Sequence, residues 1–309
     1  PDPFRSRTNV IQANNNGLLE GRGARLEVDG VEKPPIDPNP MVQQRSARRV
    51  PAVPLLAKVN ENPVPDVFLE GFDVEGIDVG VFMPTAAMRI VRYDGMDPEH
   101  SLALCQVYND YAAEFCRSHP DRFKFWAWVP PHDAKLAAGE ARRAVKELGA
   151  VAVAMTGGAV NGNLLCDEFF DPLWEEMNRL GTAFGMHGPP ANYNLKDNYN
   201  HRYRGHRGMG LVGNAMTGPV HAQTQLAELI IGGVLERFPN LKPVFMEVNA
   251  SWLPWFLWRL DDKWETNRPD LEIKLSIAPS EFFRRQCYCV VEPEEEPIKY
   301  TIDYMGADN

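Results

Sequence analysis

Apolar and polar positions follow two rhythms along most of this chain, and the switching between them predicts a repeated strand–helix order. From Gly71 onward, apolar runs of strand length alternate with segments whose apolar positions recur at helical spacing. Residues 77–83 read as a strand stopped by Pro84, and a helical pattern runs from about 98 to 118. Residues 123–129 read as the next strand, stopped by Pro130-Pro131. Asp133 can cap a helix with Ala137, Ala141, Ala144, Val145 and Leu148 on one side, and Gly149 ends it. A strand over 150–155 follows, and Asp171-Pro172 opens a helix that stops at Gly181. The run 181–187 ends on His187, before the turn Gly188-Pro189-Pro190. After a loop over 188–219, Pro219 is expected to start a helix that Pro239 closes. Strands are expected over 243–248, 287–291 and 302–307, with an aromatic-rich helix over 252–264.

Strands separated by helix-sized segments argue for a parallel α/β sheet. The reading yields seven strands, one short of a (β/α)8 TIM-type barrel, with no helix after the last. The expected fold is such a barrel with its first strand and final helix missing, strand one or a substitute for it falling within 1–70. Residues 1–70 hold ten of the 26 prolines and no sustained period. They read as an irregular N-terminal extension, with the barrel domain over 71–309. An arm of that kind can wrap the domain or a partner subunit, which is consistent with a homodimer.

Composition narrows the classes. The chain has 309 residues, 44% hydrophobic and 24% charged, as an ordinary globular protein does. Its net charge of −10 argues against non-specific nucleic-acid binding. The short basic cluster Arg45-Ser46-Ala47-Arg48-Arg49 reads as a solvated face or an oligomer contact. Five cysteines without a Cys-x-x-Cys pair read as buried thiols, which fits a reducing cytoplasm. No apolar run approaches the ~20 residues of a membrane span. No signal peptide is visible, although the chain begins without Met.

His187 and Asp308 each close a strand-like run, and in alternating β/α chains the carboxyl rim is where ligands and metals gather. A histidine and a carboxylate on two strand ends suggest a divalent metal site. Taken alone, His187 reads first as a hydrogen-bonded structural histidine, and Asp308 equally as a turn residue.

Three blocks change that balance. They are Glu75-Gly76-Ile77-Asp78-Val79-Gly80-Val81-Phe82-Met83-Pro84-Thr85; His119-Pro120-Asp121-Arg122-Phe123 with Glu147-Leu148-Gly149; and residues 232–241 with Glu247 and Trp252-Leu253-Pro254. In order and at this spacing the chain resembles the amidohydrolase-related metal enzymes of the aminocarboxymuconate-semialdehyde and γ-resorcylate decarboxylase type. The resemblance implies a TIM-type barrel of the metal-dependent hydrolase superfamily. It also implies a divalent metal, zinc before manganese, held by a His-x-His pair on strand one, a His on strand five and an Asp on strand eight. His187 matches the strand-five ligand and Asp308 the strand-eight Asp. Two departures stand out: no His-x-His occurs, and Glu247 stands where strand six often ends on a catalytic His.

Catalytic roles then fall to Asp308, Glu247 and His221, each with a plainer alternative: turn residue, ion-pair partner and helix-start residue. Arg202, Arg204 and Arg207, in the loop after His187, are candidates to clamp a substrate carboxylate or to make a solvated basic loop. The implied reaction is non-oxidative decarboxylation of a carboxylated aromatic or enoic acid. Metal-dependent hydrolysis of a C–N or C–O bond is the alternative, and a metal-free, non-catalytic barrel is a third.

Overall fold

A computed structural model of the chain describes residues 8–10, 26–28, 31–33, 63–84, 88, 91–157, 159–187, 209–292 and 294–308. The chain divides into two compact units, residues 1–82 with 110–125, and residues 83–109 with 126–309.

In the first unit, β1 (Thr8–Val10), β2 (Leu26–Val28) and β3 (Val31–Lys33) form a three-stranded antiparallel sheet, with Thr8 opposite Val28 and Leu26 opposite Lys33. Strands of three residues are too short for alternation to be read, so residues expected to be irregular carry a small sheet. Helix α1 (Pro65–Glu75) begins with a proline in its first turn and ends at Gly76, whose φ of 71° is left-handed. Phe68 and Phe72, one turn apart on α1, meet the rings of Phe82, Phe115 and Phe123 with centroids 5.3–5.9 Å apart. Strand β4 (Gly80–Phe82) pairs parallel with Phe123–Phe125. The turn between α1 and β4 is tied by Arg122, which donates to the Asp78 and Ile77 carbonyls and to the Asp73 carboxylate.

Helix α2 (Pro98–Arg117) and strand β5 (Phe123–Trp128) pass from one unit into the other. The second unit continues with α3 (Ala134–Arg143), β6 (Ala152–Met155), α4 (Asp171–Leu180) and β7 (Ala183–Met186). Then come α5 (Met209–Ile231), the short α6 (Val234–Arg237), β8 (Lys242–Phe245) and α7 (Leu253–Asn267). Helix α8 (Pro279–Gln286), β9 (Tyr288–Cys289) and α9 (Ile298–Met305) complete it. Its strands lie in chain order β5-β6-β7-β8-β9, all parallel, so the α/β alternation expected from the pattern holds. Asp133 caps α3 by accepting from the Lys135 and Leu136 amides at 2.8 and 2.9 Å, and Gly181 ends α4 with φ 64°.

One sheet face packs on helices. Phe184 meets Trp174 of α4 edge-on at 5.0 Å, and Phe245 stacks on Phe283 of α8 at 6.4 Å. On α2, Asn109 stands in for a neighbouring strand at the end of β5. Its amide donates to the Trp128 carbonyl at 2.9 Å and to Glu140 at 2.6 Å, and its oxygen accepts from the Trp128 amide at 2.7 Å. Glu140, itself buried, is forked by Arg143.

Two further expectations fail. Residues 302–307 are not a strand: they fall in α9 and the turn after it, so β9 is followed by a helix. The half-buried or buried positions there are Ile298, Thr301 and Met305, a helical spacing, and burial at that period overrides the strand-like run of branched and aromatic residues. Pro219 does not start a helix but lies inside α5, which begins ten residues earlier, at Met209. Gly210, Gly213 and Gly218 hide that first stretch from propensity. No disulfide joins any of the five cysteines. No helix among the described residues is long and apolar enough to cross a membrane.

Candidate functional site

Parallel strands bring their carboxyl ends to one edge, and in the second unit that edge collects the polar chemistry. The ends of β6, β7 and β8 are level. Beyond the strands proper, the His187 amide donates to the Met155 carbonyl at 3.3 Å and the Met246 amide to the Met186 carbonyl at 3.4 Å. His187 thus closes β7, and Glu247 follows β8 on the adjacent strand.

Alternation along β7 puts His187 on the face of Gly185. A Cβ at Gly185 would stand 2.6 Å from the Met246 sulfur and 2.7 Å from the Trp126 ring, so a larger residue there would force those side chains to shift. The His187 side chain is 9% exposed, and its Nε2 lies 3.2 Å from Oε2 of Glu247, whose side chain is 72% exposed. A carboxylate can only accept, so in the neutral imidazole the proton sits on Nε2. Nδ1 then presents its lone pair, buried and without a hydrogen-bond partner among the described residues.

Glu247 meets His187 because the backbone breaks the strand's alternation. Glu247 and Asn249 have φ of 54° and 59°, left-handed for residues other than glycine. Each costs of order 1 kcal/mol and persists only where its surroundings over-determine it. The Trp252 indole donates to the Val248 and Asn249 carbonyls at 3.1 and 2.8 Å, and the Cys289 thiol to the Asn249 carbonyl at 3.1 Å. Glu295 accepts from the amides of Ala250 and Ser251 at 2.9 and 2.6 Å. Burial pushes the Glu295 carboxyl up, but the hydrogen bonds from Ser251 and Ala250 outweigh it and hold the group below its usual range.

Helix α5 lies against the same turn. A Cβ at Gly218 would come within 3.2 Å of the Glu247 carbonyl oxygen and 3.5 Å of the Val248 Cα, a close backbone approach that glycine permits. Seven residues on, the Gln225 amide occupies the space a Gly157 side chain would need, just past β6. His221, between them in sequence, has a buried Nε2 with no partner among the described residues, and burial pushes its pKa below the usual imidazole value. His132, past the end of β5, is a contrast. Its Nε2 donates to the Tyr93 carbonyl and its Nδ1 meets the Ser101 hydroxyl, both at 2.8 Å, as a structural histidine should.

Of the residues singled out from sequence, His187 and Glu247 are brought together. His221 is on α5 in the same unit, inside a helix rather than at its start. Asp308 follows a helix, not a strand, and is exposed. Arg202, Arg204 and Arg207 lie outside the described residues. Gln225, Gly218 and Asn249 were not singled out. A glutamine one turn from His221 among apolar neighbours was the available signal for the first. A divalent metal needs three or more converging donors, and among the described residues no group of three His, Cys, Asp or Glu side chains is arranged to hold one. His187 and Glu247 contribute two donors, so the described residues by themselves do not fit a metal. A cavity of about 270 Å³ at the far end of α7 is lined by Trp264, Arg268, Ile273, Lys274, Leu275 and Ser276. The Lys274 ammonium donates there to the Arg268, Pro269 and Leu271 carbonyls. That is the turn after α7, closed by Lys274, and none of the rim residues lines it.

Parallel strands alternating with helices make this an α/β protein. The chain belongs to the amidohydrolase family, whose model matches residues 39–297. It is 28% identical over 243 residues to 2-amino-3-carboxymuconate-6-semialdehyde decarboxylase of Dictyostelium discoideum, covering 78% of this chain and 63% of that protein's length. Among solved structures it resembles 5-carboxyvanillate decarboxylase from Sphingomonas paucimobilis, at 25% identity and TM-score 0.60, over 77% of this chain and 68% of that one. An amidohydrolase from Mycobacterium avium subsp. paratuberculosis matches in fold over 99% of this chain and 82% of its own, at 19% identity and TM-score 0.75.

Proposed function

We propose that this chain carries out non-oxidative decarboxylation of a carboxylated aromatic or enoic acid, and that its parallel sheet is an arc of a TIM-type barrel. The observation that carries the reading is the buried Nδ1 of His187 at the end of β7, which has no hydrogen-bond partner among the described residues, in a chain whose similar proteins include decarboxylases. In the reaction the bond between the carbon skeleton and the carboxylate breaks. The electron pair stays on carbon, CO2 leaves, and a proton is delivered to that carbon. Glu247 orients His187, and His187 with His221 supplies groups that can hold or move a proton beside the substrate. Arg202, Arg204 and Arg207 are the cations proposed to take the substrate carboxylate.

Family membership supports a divalent metal, which we propose as zinc first and manganese second, with Asp308 joined by ligands outside the described residues. The Gly306-Ala307-Asp308 block is what supports a metal-site role for Asp308. Cysteines without disulfides support a cytoplasmic location, and the residues ahead of α1 support a homodimer that a sizing run would test. The reaction is tested by incubating the full chain with a panel of hydroxylated benzoic acids and enoic acids, with zinc or manganese added. Release of CO2 by the wild type and its loss in Asp308→Asn are expected. Cleavage of amides or esters without CO2 release would contradict decarboxylation.

A further inference from the structure

The turn that follows α7 encloses a cavity whose positive charge no described carboxylate matches. Trp264 stands eleven residues beyond Leu253, the first residue of the helix. The cavity therefore lies about 16 Å along the axis from the helix start, where the chain leaves the turn after β8. Three contacts set its walls. Ile273 packs on the junction of α5 and α6, where a Cβ at Gly233 would stand 2.7 Å from the Ile273 Cγ2. The Ser276 amide and hydroxyl both donate to Oε2 of Glu236 on α6 at 2.9 Å. The Lys274 ammonium donates to the Leu271 carbonyl at 2.5 Å and to the Arg268 and Pro269 carbonyls at 3.4 Å. The enclosed volume of about 270 Å³ is near the lower end of small-molecule sites, about 300 Å³, which suits a single ring.

The lining joins apolar surface to positive charge. Trp264, Ile273 and Leu275 supply the first, Arg268 and Lys274 the second, and no acid lines the cavity. The Arg268 guanidinium lies over the Trp264 ring, 5.2 Å from its centroid, a placement that cation–π attraction favours. Its side chain makes no hydrogen bond and no ion pair with any described residue. An ammonium has three N–H groups, and carbonyls take those of Lys274. Arg268 is thus the open donor, and Lys274 adds charge without a carboxylate beside it. Two cations on a solvated surface are ordinary. Here they flank a cavity with an indole wall, in a chain of net charge −10, and that arrangement draws an anion. A guanidinium matches a carboxylate through two parallel N–H groups, and the apolar wall matches a ring.

We propose that the turn after α7 is a second binding site, apart from the strand-end rim, for a small aromatic carboxylate. The ring lies against Trp264, Ile273 and Leu275, and Arg268 takes the carboxylate. Such a site is independent of the reaction at the rim.

The test is a titration of the full chain, isotope-labelled at its tryptophan nitrogens, with the indole N–H signals followed by NMR. The seven tryptophans give one signal each, and the Trp264 signal is the one missing from Trp264→Phe. Benzoate should shift that signal saturably. Trp255 and Trp258, exposed on the same helix, report unspecific binding and should stay still. Benzyl alcohol keeps the ring without the charge, and inorganic phosphate keeps charge without the ring; each should bind at least about 10-fold more weakly than benzoate. Arg268→Gln removes a side chain bonded to no described residue, so the fold should persist, as the other indole signals will show. It should weaken benzoate by about 10-fold or more. His187→Ala should leave the Trp264 titration unchanged, which separates this site from the rim. A Trp264 signal that benzoate leaves unmoved, that benzyl alcohol or phosphate shifts at equal concentration, or that titrates identically in Arg268→Gln would overturn the assignment. Parallel shifts at Trp255 and Trp258, or loss of the Trp264 response in His187→Ala, would overturn it as well.

Discussion

Replacing Glu247 by glycine and by alanine removes the same carboxylate but leaves different backbones. The residue holds φ at 54°, in the left-handed region. For a residue with a Cβ that conformation costs about 1–2 kcal/mol, and glycine adopts it freely. Glycine gives back about 0.4–1 kcal/mol through the greater freedom of its unfolded chain. The contact with His187, 3.2 Å from a carboxylate that is 72% exposed, is lost in both variants and drops out of the comparison. The glycine variant is therefore expected to be more stable than the alanine variant by about 1 kcal/mol, or roughly 3 °C in unfolding midpoint. Thermal unfolding followed by circular dichroism measures this. Turnover should be the same in the two variants, since both lack the carboxylate that orients His187. An alanine variant as stable as the glycine variant would refute the claim that the turn after β8 is held in a strained conformation.

Asn109→Ala should cost about 3–5 kcal/mol, because it strands the buried amide and carbonyl of Trp128 and takes a partner from Glu140; a urea midpoint close to that of the wild type would contradict it. Burial raises the Glu176 carboxyl, but hydrogen bonds from Arg179 and Arg142 outweigh burial, so its folded pKa lies below the ordinary 4.5. A depressed carboxylate contributes stability above its unfolded pKa and loses it as the pH falls through the folded value. The stability difference between wild type and Glu176→Gln should therefore be full at neutral pH and shrink below 4.5. A difference constant down to the acid limit of the folded state would contradict the linkage.

The strand ending at His187 was legible because an apolar run met the sequence Gly-Pro-Pro, and both signals are local. The parallel order of β5 to β9 followed from the same alternation. What sequence could not supply was contact between distant segments. Gly218 against Glu247 joins residues far apart in sequence, and nothing near Gly218 announces it except glycine beside Pro219. The left-handed turn at Glu247 and Asn249 is held by nearby Trp252 together with Cys289 and Glu295 from far along the chain, so its signature is only partly local. Residues 302–307 misled for the opposite reason. Their composition favours a strand, and packing at positions 298, 301 and 305 decides for a helix. The three-residue strands β1 to β3 carry too few positions to show any period.

The central claim is that the open nitrogen of His187 marks the working site. His132 provides the control, since it stands past the end of β5 in the same sheet with both ring nitrogens bonded to the protein. The measurement is CO2 release from the acid that the wild type turns over best, in His187→Ala and His132→Gln at a temperature where both remain folded. The account predicts that His187→Ala abolishes release and that His132→Gln keeps it. Release persisting in His187→Ala, or lost equally in both variants, would contradict it.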